Sequence, residues 1–169
     1  ICFIGERPFS QFIAKYIKKK PGNIVDTDSN IIGEHDSINF YTIGQRKGLN
    51  IGGSKKGNGQ PWFVVEKDIK NNQLIVGQGY QHPMLLKDGV VATDIHWISE
   101  SDPKVNWVYS AKTRYRQSDS ACEIDKIESN ECTVIFGQKQ LAMTPGQSVV
   151  LYESNVCLGG GFIKNTVDF

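Results

Sequence analysis

Six short extended runs fill the second half of the chain, and no helical period separates them. Val90–Ile98, Asn106–Tyr115, Ala121–Ile127, Cys132–Phe136, Ser148–Tyr152 and Val156–Ile163 are strand candidates. Polar clusters punctuate them: Gln117-Ser118-Asp119-Ser120, Glu128-Ser129-Asn130 and Thr144-Pro145-Gly146-Gln147. Regular short strands divided by turn residues, with no helix between, are the signature of a small antiparallel barrel.

The first half reads differently. Pro8 suits the first position of a helix, and Phe9, Phe12, Ile13, Tyr16 and Ile17 follow at helical spacing as one apolar stripe. Lys15, Lys18, Lys19 and Lys20 crowd the last turn, where cations favour the helix dipole, and Pro21-Gly22 ends it. A helix is expected over residues 8–19, with its stripe packed on the next domain or on a second copy. Beyond it, Asn23–Asp26 and Asn30–Glu34 flank Thr27-Asp28-Ser29 as a hairpin, and Phe40–Ile43 reads as a further strand. Trp62–Asp68 and Gln73–Gly77 flank Asn71-Asn72, a strong hairpin signal because Asn tolerates positive φ. The expected fold is mainly β: a linker with an amphipathic helix over residues 1–20, a small β-rich central domain over 21–85, and an antiparallel barrel of about six strands over 86–169.

Nineteen Lys+Arg against eighteen Asp+Glu leave a net charge of +1, which excludes a generally polycationic nucleic-acid coat but permits a local basic face. No apolar run approaches the roughly 18 residues of a membrane-spanning helix, and no membrane partner is expected. The chain begins at Ile1 without a basic leader or cleavage site, so we expect the later part of a longer protein rather than a secretory signal. Four cysteines, Cys2, Cys122, Cys132 and Cys157, contain no Cys-x-x-Cys pair, which argues against a zinc knuckle and for a reducing cytoplasm. The last three sit in strand-like runs and read as small buried hydrophobes. Cys2 lies just before the helix and close to Arg7. It is either an apolar residue entering the helix or a thiol with lowered pKa, able to act as a nucleophile.

Two basic segments stand out. The stretch from Gly44 to Gly59 carries Arg46, Lys47, Lys55 and Lys56 among glycines, which suits a loop touching an RNA backbone or an exposed structural loop. The P-loop spacing is absent. In Lys112-Thr113-Arg114-Tyr115-Arg116-Gln117, strand alternation would put Lys112, Arg114 and Arg116 on one face, beside an aromatic and an amide. Cations hold phosphates and aromatics stack on unpaired bases, although a charged outer barrel face fits equally well. His35, His82 and His96 lack metal-ligand spacing, no metal site is expected, and Glu34-His35-Asp36 reads as a polar loop.

Ile1-Cys2-Phe3-Ile4-Gly5-Glu6-Arg7, Thr42-Ile43-Gly44-Gln45-Arg46-Lys47-Gly48-Leu49, Lys112–Gln117, Thr144-Pro145-Gly146-Gln147 and Cys157-Leu158-Gly159-Gly160-Gly161 resemble, in order, the later portion of bacterial tRNA-specific 2-thiouridylases. The resemblance implies an enzyme that thiolates carbon 2 of the wobble uridine of tRNA. It implies ATP with Mg, bound by an N-terminal domain whose phosphate loop has no counterpart in this sequence, so this stretch alone is expected to be inactive and to bind no cofactor. It further implies tRNA and a persulfide-carrying sulfur-donor protein as partners, and a cytoplasmic setting. Carried over by position, Cys2 matches the persulfide-bearing cysteine, which would form a disulfide with a partner cysteine outside this chain. Arg114, Tyr115 and Gln147 match tRNA contacts. Arg46, Lys47, Lys112 and Arg116 are candidate contacts to the tRNA backbone. A non-catalytic RNA-binding barrel of a translation-related protein, or a protein-docking platform using the Phe9–Ile17 stripe, would share the same composition.

Overall fold

The computed structural model describes residues 12–51, 58–98, 102–115 and 117–169. Cys2, Lys55, Lys56, Arg116 and the first part of the expected helix lie outside them. The chain divides into two compact units, Ile1–Met84 and Leu85–Phe169.

In the first unit, Phe12 and Ile13 are helical, and Ile17 N donates to Ile13 O at 3.0 Å before the chain leaves the helix. Phe12 and Ile13 are half-buried, whereas Tyr16 is 74% exposed and Ile17 is also exposed, so the expected stripe is covered only in part. Four strands follow: β1 (Gly22–Asp26), β2 (Ile31–His35), β3 (Trp62–Asp68) and β4 (Gln73–Gln78), arranged β2-β1-β4-β3. Both hairpins are closed by an aspartate at the strand end. Asp26 Oδ1 accepts from the backbone N–H of Asp28 and Asn30, and Asp68 Oδ1 accepts from Asn71 N at 3.0 Å. These side-chain bonds supply the turn that the backbone alone would have to hold. The Asn71 hydrogen bonds also draw the Asp68 carboxyl below its ordinary pKa. Asn72 takes φ +53°, as the hairpin requires.

The two hairpins join through a parallel β1–β4 ladder, Ile24 against Leu74 and Asp26 against Val76. Ile24, Val64, Leu74 and Val76 are fully buried along this seam, and Ile38 and Leu49 close the core. The expected strand Phe40–Ile43 is a 3-10 turn, Ile38–Phe40, followed by Tyr41 in extended conformation. Ile38 and Phe40 both bury, which the two-residue period of a strand would also permit. The backbone meets β3 only briefly, where Gly44 N donates to Val64 O and Val64 N to Gln45 O, so no ladder develops.

The second unit is a closed barrel of β5 (Leu86–Trp97), β6 (Val108–Lys112), β7 (Ser120–Glu128), β8 (Glu131–Leu141), β9 (Ser148–Glu153) and β10 (Val156–Val167), in the order β10-β5-β8-β7-β6-β9. Every pairing is antiparallel. Alternate residues point inward: Cys122 and Ile124 from β7, Cys132, Val134 and Phe136 from β8, Val149 and Leu151 from β9. Closure depends on β10. Side chains at Gly159 and Gly160 would run into the carbonyls of His96 and Val149, so the Gly159-Gly160-Gly161 run lets β10 lie against β5 and β9 at once. Cys122 and Cys132 are buried thiols, as expected, and Cys157 is half-buried.

Candidate nucleic-acid interface

The expected strand through Tyr115 stops at Lys112. The reason lies in the next side chains. Thr113, 3% exposed, donates its hydroxyl to Gln117 Oε1 at 3.0 Å, and Gln117 N donates to Arg114 O at 3.2 Å. These bonds fold Arg114–Gln117 into a turn instead of continuing the ladder. Lys112 and Arg114 therefore do not line one strand face, and Arg116 lies outside the described residues. Lys112 stays on β6, its Nζ 5.3 Å from the centroid of the Tyr152 ring. Arg114 is exposed in the turn, and Tyr115 stands at its tip, 89% exposed. Beyond the turn, Asp119 has its carboxyl pKa lowered, chiefly by a hydrogen bond from Ser110, with the Lys112 charge a smaller cause.

The turn is tied to the β8–β9 connection. One guanidinium nitrogen of Arg114 donates to the Ala142 carbonyl at 2.8 Å. That carbonyl also accepts the Thr144 hydroxyl at 3.0 Å. Ala142 adopts φ +51°, a conformation costly for a residue with a Cβ, and its N–H is held by Leu85 O at 2.7 Å. From there the loop to Gln147 is pinned to β10: Gly146 N donates to Ile163 O, and Ile163 N donates to Gln147 O at 2.7 Å. Gln147 Oε1 is buried without a hydrogen-bond partner. Arg114, Tyr115 and the Thr144–Gln147 loop thus share one rim of the barrel, with Arg114 as the link.

Beneath the turn lies a network that the sequence reading passed over. Gln117 Nε2 donates to Gln140 Oε1 at 3.0 Å, and Ser120 Oγ donates to the same oxygen at 3.1 Å. Gln140 is 7% exposed, and its own Nε2 donates to Gln138 O at 2.8 Å. Alternation does not single it out: Gln138 falls in the same series on β8 and is exposed, whereas Gln140 joins Cys132, Val134 and Phe136 among the buried positions.

The other basic segment is built differently. Gln45 folds it locally, accepting from Thr42 N at 3.0 Å and donating to Lys47 O at 2.9 Å, while Gly44, Gly48 and Asn50 take positive φ. Arg46 and Lys47 are exposed on these turns. Arg46 borders an open cleft of about 430 Å³ shared with Leu49, Gln60, Trp62 and Gln78. The described residues do not gather three or more His, Cys, Asp or Glu side chains suited to a metal. His35, from the Glu34-His35-Asp36 run, is buried with Nε2 3.2 Å from Asn72 O, and burial lowers its pKa. Asp36 pairs instead with Lys19.

A four-stranded sheet unit followed by a closed six-stranded barrel matches the comparisons with known proteins. Residues 10–78 match the tRNA methyl transferase PRC-barrel domain family, and residues 87–163 the Aminomethyltransferase beta-barrel domain family. The pair defines the class: a two-part β module, a PRC-barrel domain followed by an aminomethyltransferase-type β-barrel domain. The chain is 56% identical over 167 residues to the tRNA-specific 2-thiouridylase of Methylobacillus flagellatus, covering 99% of this chain and 46% of that protein. It is 53% identical to the 2-thiouridylase of Nitrosomonas europaea and 50% identical to that of Dechloromonas aromatica, covering 46% and 47% of those proteins. The chain belongs to the tRNA-specific 2-thiouridylase family and spans about half the length of the curated relatives it matches. No helix among the described residues is long and apolar enough to cross a membrane.

Proposed function

We propose that this chain is the tRNA-docking and sulfur-carrying part of an enzyme that thiolates carbon 2 of the wobble uridine of tRNA. One observation carries the docking half of the reading: the Arg114–Ala142 hydrogen bond, which gathers the basic turn and the Thr144–Gln147 loop on one rim. An exposed cation and an exposed aromatic ring side by side suit a phosphodiester and an unpaired base, and an anticodon loop presents both. Lys112 stands near the rim as a further backbone contact, and Arg46, Lys47 and Arg116 complete the candidate set. Binding should weaken as salt rises, because each phosphate neutralised releases counterions.

The sulfur-carrying half rests on Cys2 and on the family. The Cys2 thiolate attacks the outer sulfur of a donor protein's persulfide, the donor's thiolate leaves, and Cys2 holds the sulfane sulfur. A second cysteine, outside this chain, then attacks Cys2 Sγ. A disulfide forms, and the outer sulfur passes to carbon 2 of the activated uridine. ATP with Mg, held elsewhere in the enzyme, supplies the adenylation that makes the uridine oxygen a leaving group. No residue of this chain is assigned to it. The setting is the cytoplasm, where tRNA and a reduced Cys2 coexist.

Thiolation of tRNA by the full-length protein tests both halves. Cys2→Ser should abolish product while leaving tRNA affinity unchanged. Thiolation by Cys2→Ser at the unaltered rate would remove the persulfide role and leave an RNA-binding barrel.

A further inference from the structure

Tyr115 has almost no packing of its own. At 89% exposure its ring is placed by the backbone of the Arg114–Gln117 turn and by little else. An exposed aromatic on an unbraced turn would sample many positions, and fixing it on binding would cost affinity. The turn is braced from one side by Arg114 reaching Ala142, and from the other by Gln117 reaching Gln140.

The second brace has a single arrangement. The Gln138 carbonyl can only accept, so the end of Gln140 facing it is Nε2, and the other end, Oε1, accepts from Gln117 Nε2 and Ser120 Oγ. With Gln140 oriented, Gln117 must offer it Nε2 and turn Oε1 toward the Thr113 hydroxyl. Each donor and acceptor in the chain Thr113–Gln117–Gln140–Gln138 thus fixes the next, under 7% exposure at Gln140 and 3% at Thr113. A leucine or methionine would fill the same barrel position without these bonds. The amide supplies the acceptor that Gln117 Nε2 and Ser120 Oγ share, and through Gln117 it sets the direction of the turn.

We infer that Gln140 is a positioning residue for tRNA: acting through Gln117, it holds the Arg114–Gln117 turn so that Tyr115 is presented to the nucleic acid in one orientation. This rests on the docking reading above. It predicts that Gln140 matters for tRNA only while Tyr115 is present.

The test is a double-mutant cycle on the full-length protein, with KM for tRNA and kcat measured for Gln140→Met, Tyr115→Ala and the pair. Thermal unfolding of each variant is followed in parallel. Gln140→Met should raise KM about fivefold, the worth of roughly one hydrogen bond, with kcat at saturating tRNA unchanged. In the Tyr115→Ala background the same change should add less than about twofold. Gln117→Met, which cuts the same link from the exposed side, should reproduce the KM effect, so the outcome survives if Gln140→Met folds poorly. Equal KM in Gln140→Met, Gln117→Met and the parent, or full additivity with Tyr115→Ala, would overturn the inference. If Tyr115→Ala and Arg114→Ala both leave KM unchanged, the docking rim itself is wrong, a different failure from the first.

Discussion

The two basic segments of this chain carry similar residues and are held in opposite ways. In the barrel, Arg114 donates to a loop carbonyl, and the turn bearing Tyr115 rests on a buried amide network. In the sheet unit, the Gln45 side chain folds its own turn, two backbone bonds tie Gly44 and Gln45 to Val64, and Arg46 and Lys47 project from the turn without a salt bridge among the described residues. Exposed lysines and arginines lose side-chain entropy when a ligand fixes them. A guanidinium already held in place has less to lose. Charge alone therefore does not rank these segments as RNA contacts; the polar scaffold under the charge does.

The largest effect should come from destroying the scaffold. Gly160→Val forces a side chain into the Val149 carbonyl where β10 meets β9, and should cost about 3 kcal/mol or more, read by urea unfolding. Gly146→Ala, with open space where its Cβ would stand and only a φ of +85° to oppose it, should cost about 1 kcal/mol. Equal losses would mean that glycine packing does not close the barrel.

Next come the arginines. Arg114→Ala removes the proposed phosphate contact together with the bond to Ala142 O, and should weaken tRNA binding about tenfold in a filter-binding titration. Arg46→Ala should weaken it no more than about threefold, as a single exposed cation would. The reverse order would favour the glycine-lysine segment as the docking site.

A further contrast is among the thiols. Burial first, then the neighbouring Cys132 and Glu123, pushes the Cys122 thiol up to about 12, and burial pushes Cys132 up to about 11. Both should resist iodoacetamide at pH 8 while the half-buried Cys157 reacts. The sign of the linkage follows. Below about pH 9 both states keep these protons. Between about 9 and 12 the unfolded chain loses them first, so the stability from the neutral thiols is lost as pH rises through that window. Flat stability from pH 9 to 11 would contradict the burial of these thiols.

Much of this was readable in advance. The barrel strands and the Asn71-Asn72 hairpin follow from alternation and turn residues, because those signals are local. The parallel β1–β4 ladder was not readable, since it joins residues far apart in sequence through apolar runs that fit either pairing. The site was legible as residue types but not as geometry. Lys112, Arg114 and Arg116 alternate as a strand would, yet Thr113 and Gln117 bond to each other and fold the chain away. The link from Arg114 to Ala142 depends on a positive φ at an alanine, which no composition rule marks. Cys2 remains a matter of motif, outside the described residues.

The barrel rim is tested most directly by the salt dependence of tRNA binding. The logarithm of affinity should fall linearly with the logarithm of salt concentration for the parent protein. Arg114→Ala should bind more weakly and lower that slope by about one, while Arg46→Ala should lower it by less. An Arg114→Ala line superimposed on the parent's, in both height and slope, would show that tRNA does not meet this rim.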